Sequence, residues 1–195
     1  MRKILGSNEM YCDQTNDASV ELFKDYFKKS KLVACGPNAA AMGFEVAGWP
    51  MTVFTPGAQA SDIILMIMEN PKNLSLFKAR RNIDYDTYPV NEVPQAYDVL
   101  AKLIYGVEVC QYNEGLNYEI IRGCIMDDTP AMISGQFPAG GHFVLAVGFD
   151  DEKKVIIYND PDRYQWPDQK GYNREMDMAF LAEKISKYRV EFRPY

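Results

Sequence analysis

The hydrophobic and polar positions divide the chain into two textures. From Val20 to Phe27 apolar residues recur at helical spacing, and Cys35-Gly36-Pro37-Asn38 leads into a run of alanines ended by Gly48 and Pro50. Pro37 suits the first turn of a helix, where its missing N–H costs nothing, and alanine is the best helix former. Ser61-Asp62 predicts a helix start, with Pro71 as its stop, and Val93 to Ile104 predicts another helix closed by Gly106. Val107 to Cys110 reads as a short strand and Asn117 to Ile125 as a short helix. After Pro130 the texture changes to β-branched and aromatic runs: Ala131–Gly135, His142–Phe149 and Val155–Tyr158, the last two joined by an acidic hairpin tip. Met176–Ile185 reads as a helix and Tyr188–Phe192 as a final strand. Segregated helices and antiparallel strands predict an α+β fold in one domain over 1–195, with a mainly helical half to about 128 and a mainly β half from about 129.

Composition then restricts the chemistry. The chain has 195 residues and one histidine, His142, so multi-histidine zinc or iron sites are excluded and no metal or other cofactor is expected. A net charge of −6 argues against a nucleic-acid partner. Ile63–Met68 is the longest apolar run, far below the roughly 20 residues of a membrane span. Met1–Met10 lacks the apolar core of a signal peptide, so a cytoplasmic location and reduced thiols are expected for Cys12, Cys35, Cys110 and Cys124.

Cys35 stands at a predicted helix start, where the helix dipole and free N–H groups favour the nucleophilic thiolate. Gly36 beside it allows a substrate backbone to come close. A cysteine nucleophile needs a base, and His142, opening a strand after Gly140-Gly141, is the one imidazole available. The residue that orients the imidazole is expected in Asn159-Asp160, before Pro161. An odd-length loop such as Asp150–Glu152 puts Asp160 on the same face as His142. An even-length loop puts Asn159 there unless a bulge intervenes. Asp160 is the preferred partner. Gln14 is a polar candidate for completing an oxyanion hole. Trp49, Phe54, Tyr164 and Trp166 are candidates to line a cleft, with core packing as the competing role.

The order Gln14, Cys35-Gly36-Pro37, Gly141-His142, Asn159-Asp160-Pro161 resembles the papain-like cysteine peptidases. Within them it is similar to the bacteriocin-processing (double-glycine leader) branch and its stand-alone bacterial or phage relatives. The resemblance implies a helical half carrying Cys35 packed on a sheet half carrying His142 and Asp160. It implies Cys35 as nucleophile, His142 as general base, Asp160 as its orienting partner and Gln14 in the oxyanion hole. Gly36, Gly141 and Trp49 are the expected substrate-binding positions, and the expected partner is a peptide or protein. The same dyad could serve a peptidoglycan amidase or endopeptidase or an acyltransferase, and the same fold could serve as a non-catalytic peptide-binding module. Relative to the family pattern the Val20–Phe27 helix is an insertion, because twenty-one positions separate Gln14 from Cys35. Residues 61–128 match no motif and are expected to set substrate choice.

Overall fold

A computed structural model describes residues 1–14, 34–51, 58–81, 93–137 and 140–195, the side chains of 78–81 excepted. The predicted Val20–Phe27 helix and Phe54 lie outside the described residues.

The centre of the molecule is an antiparallel sheet of seven strands: β1 (Arg2–Ile4), β2 (Cys110–Glu114), β3 (Ala131–Phe137), β4 (Gly140–Asp150), β5 (Val155–Asn159), β6 (Arg174–Asp177) and β7 (Ile185–Phe192). The order is β2-β7-β3-β4-β5-β6. The β3–β4 ladder ends at Ala146, and β1 takes over the freed edge of β4 from Gly148 to Asp150. The sheet thus draws two strands from the largely helical first part of the chain.

Helices cover both faces. On one side lie α1 (Cys35–Val46), α2 (Ala60–Met68), α3 (Pro71–Arg81) and α4 (Ala96–Tyr105); their buried residues share a core with Phe143, Leu145, Val147, Ile157 and Phe192. On the other lie α5 (Tyr118–Met126) and α6 (Met178–Lys184), packed with Val144, Ala146, Phe149, Ile156 and Tyr158. Burial on both faces explains why β4 reads as a continuous apolar run rather than an alternating one.

Three elements differ from expectation for local reasons. Pro71 ends α2 but also opens α3, the first-turn position where proline is tolerated. The strand expected at Val107–Cys110 begins only at Cys110 and continues through polar residues to Glu114, as suits an edge strand with one face in water. In Met176–Ile185, the Asp177 carboxylate accepts the Phe180 N–H (2.8 Å) and so starts the helix at Met178; the residues before it pair with β5 as β6. Among the described residues no helix is long and apolar enough to cross a membrane.

Candidate active site

Cys35 is the first residue of α1 and is 6% exposed. The N-cap position is Ala34, with no side-chain cap and no acidic residue in the first turn. Ala34 therefore offers the N–H groups at this helix end no capping side chain of its own. Small residues bring the helix close to the sheet. A Cβ on Gly43 would lie 2.6 Å from the Phe192 ring, itself fully buried and in edge contact with Phe44.

His142 stands opposite Gly135 near the start of β4, with the edge of the Phe137 ring 5.5 Å away between centroids. Its Nε2 lies 2.6 Å from the Asp160 carboxylate. The Cys35 thiol lies beside the same imidazole. With Nε2 engaged by Asp160, Nδ1 is the ring nitrogen left for the sulfur. Burial pushes the imidazole pKa down, but hydrogen bonding to Asp160 and Cys35 outweighs it and raises the pKa from 6.5 to about 10.

Asp160 is fully buried and tied at every polar atom. One carboxylate oxygen accepts from His142 and from the Asp162 N–H (2.8 Å); the other accepts from the Trp166 indole N–H (2.9 Å). Its own N–H donates to the Gly171 carbonyl (2.6 Å), and its carbonyl accepts from the Tyr11 hydroxyl (2.7 Å). Gly171 sits so close that a Cβ there would fall 2.1 Å from both the Asp160 carbonyl and the Tyr11 hydroxyl.

A β-bulge selects Asp160 over Asn159. Asp150 pairs with Val155, which leaves four residues, an even number, in the turn. That parity alone would place Asp160 opposite in face to His142. Between the pairs Ala146–Tyr158 and Gly148–Ile157, however, Val147 is an extra residue, and the parity is restored. Asn159 opposes Leu145, and its side-chain oxygen accepts the Asn173 N–H (3.0 Å) instead.

The other candidates fall in different places. Gln14 is brought to the Asp160 segment, its N–H donating to the Pro161 carbonyl (3.0 Å); its side-chain oxygen is buried and has no partner among the described residues. Gly36 is buried beside Cys35, and Gly141 is exposed beside His142. Trp49 is not brought to Cys35. It lies beyond the opposite end of α1, a helix about 18 Å long, where its indole N–H donates to the Arg193 carbonyl (3.0 Å) and its ring packs on Tyr105 and Tyr195. Tyr164 is exposed beside the Asp160 turn.

The model of the Peptidase_C39 like family matches residues 13–189, a span that includes Gln14, Cys35, His142 and Asp160. The chain belongs to this family. Its fold is that of a solved structure described as a C39-like peptidase from Bacillus anthracis, with a TM-score of 0.52 at 12% identity over 99% of this chain and 98% of that one. Xylellain, a cysteine protease from Xylella fastidiosa, is also similar, with a TM-score of 0.41 at 14% identity over 100% of this chain and 86% of that one. No curated protein matches. This C39-like chain thus has the α+β, papain-like architecture that its sequence resembles.

Sequence reasoning missed three groups around Asp160 in the C39-like chain: the Tyr11 hydroxyl, the Asp162 N–H and Gly171. It named Trp166, six positions after Asp160, without its bond to the carboxylate. The turn residues following Asn-Asp-Pro were the available signal for Asp162 and Trp166; Tyr11 and Gly171 are remote in sequence, and nothing in their local pattern marks them.

Proposed function

We propose that the chain is a cysteine peptidase that hydrolyses a peptide or isopeptide bond through a Cys35 acyl-enzyme, the whole chain acting as one catalytic domain. The observation that carries this reading is the imidazole of His142 held between the Cys35 thiol and a fully bonded Asp160 carboxylate. His142 takes the thiol proton, and the sulfur attacks the scissile carbonyl carbon to form a tetrahedral oxyanion. The raised basicity of the ring suits it to hold that proton as the imidazolium, which Asp160 stabilises and orients. The Cys35 backbone N–H and the Gln14 side-chain amide donate to the oxyanion. As the oxyanion collapses, the C–N bond breaks and His142 gives its proton to the leaving amine. Water, deprotonated by the same imidazole, then cleaves the thioester and releases the carboxylic acid.

The substrate is accordingly a peptide or protein whose backbone passes Gly36 and Gly141. The test is hydrolysis of a diverse peptide mixture, read by mass spectrometry, with wild-type chain and with Cys35→Ala. New termini that appear with the wild type and vanish with the variant support the reading. Equal cleavage by both overturns it.

A further inference from the structure

Gln14 follows Asp13, and both backbone groups of Asp13 are engaged by one side chain. The Asp13 N–H donates to the Gln59 amide oxygen (3.1 Å), and the Gln59 amide N–H donates to the Asp13 carbonyl (2.8 Å). A single side-chain amide thus does for Asp13 what a neighbouring strand does for a ladder residue. Gln59 is itself fixed at the start of α2: its backbone N–H donates to the carboxylate of Asp62 (2.8 Å), which is 1% exposed. On the opposite side, the Tyr11–Gln14 segment is tied to the Asp160 turn. The ties are the Tyr11 hydroxyl on the Asp160 carbonyl, the Gln14 N–H on the Pro161 carbonyl, and the Asp13 carboxylate on the Arg163 guanidinium (2.8 Å). The segment leading to Gln14 is therefore gripped between α2 and the strand end that carries Asp160.

We propose that Gln59 is a positioning residue for the reaction: by clamping both backbone groups of Asp13 it sets where the Gln14 amide stands when the oxyanion forms at Cys35. This rests on the oxyanion role given to Gln14 above. Donors that stabilise a developing oxyanion act through placement, and a displacement of about 1 Å at a distance from the chemistry costs up to roughly a hundredfold in rate. A clamp with a merely structural role would loosen the whole site and slow every reaction of Cys35 alike.

Two probes that need no knowledge of the substrate separate these cases. p-Nitrophenyl acetate acylates Cys35 through a tetrahedral oxyanion and releases p-nitrophenol. Iodoacetamide alkylates the same sulfur by direct displacement of iodide and forms no oxyanion. In the full chain, with the rate of Cys35→Ala subtracted, Gln59→Ala is expected to slow nitrophenol release roughly tenfold. Alkylation, read by mass spectrometry of the Cys35 peptide, should stay within about twofold. Gln14→Ala should slow release at least as much, and Gln59→Ala should add little in the Gln14→Ala background, because both act on one donor.

Full release by Gln59→Ala, or release and alkylation falling together, overturns the proposal. Gln59→Glu is the second variant: it keeps the acceptor for the Asp13 N–H but faces an oxygen to the Asp13 carbonyl, and it is expected to behave as Gln59→Ala. Failure of both variants to fold assigns the clamp to stability and also overturns it. Loss of the parent readings is seen separately. Full release by Gln14→Ala removes the oxyanion role of Gln14, and full release by Cys35→Ala removes the enzyme reading itself.

Discussion

The two ends of the candidate site are held by different physics. Cys35 is placed by packing. Its helix has no side-chain cap, and α1 approaches the sheet through glycine and alanine against Phe192. His142 and Asp160 are placed by directional bonds, with every polar atom of Asp160 engaged by a separate segment of chain. A packed helix tolerates a change in the chemistry of its first residue provided the volume is kept. A hydrogen-bonded carboxylate does not tolerate such a change, because its partners are left buried and unpaired. The contrast predicts that at the Cys35 end activity and stability can be separated, and that at the Asp160 end they cannot.

The largest expected effect tests the first half of that statement. Cys35→Ser keeps the side-chain shape with a slightly smaller end atom and should lower peptide hydrolysis by at least about a thousandfold. The unfolding free energy from denaturant titration should change by less than about 1 kcal/mol. A large stability loss would break the comparison. Asp160→Ala tests the other half. It leaves the His142 ring, the Trp166 indole and the Asp162 N–H without their acceptor, and should cost about 3–5 kcal/mol in urea unfolding as well as hydrolytic rate. Asn159→Ala, one residue earlier, should leave the hydrolytic rate within about threefold, since among the described residues it frees only the Asn173 N–H.

Gly43→Ala probes the packed end directly. The added methyl must displace the buried Phe192 ring, at a cost of about 1–3 kcal/mol that exceeds the gain of about 1 kcal/mol in helix propensity, so the unfolding midpoint should fall.

The last prediction concerns pH. The folded-state pKa of His142 is raised, so its protonated form stabilises the fold fully below about pH 6.5, and this contribution is lost as pH rises through about 10. The stability gap between wild type and His142→Gln should therefore narrow across that window. A gap that widens with pH would contradict the ion-paired arrangement.

Much of this was legible in the sequence where one local rule decided the outcome. The α1 start at Cys35-Gly36-Pro37, the β4 and β5 runs, and His142 as the one available base follow from proline chemistry, strand composition and a count of one. The choice between Asp160 and Asn159 was narrowed to a parity but not closed, because the parity depends on a bulge at Val147 whose one local sign, Gly148 inside the β4 run, equally marks the close approach of β1. β1, β6 and the clamp on Asp13 depend on partners distant in the chain, and short segments of ordinary composition carry no local sign of such partners. Trp49 follows the Cys35 helix closely in sequence, yet the length of that helix carries it to the far end.

The extra residue at Val147 makes the hairpin between His142 and Asp160 a matter of counting. Removing one residue anywhere along it, or adding one to the four-residue turn, would exchange the faces of Asp160 and Asn159 and leave the imidazole opposite an amide already bonded elsewhere. Gains or losses in this stretch are therefore expected to survive only in steps of two, or together with a second change that restores the odd residue. Such a hairpin can drift freely in composition while being nearly frozen in length.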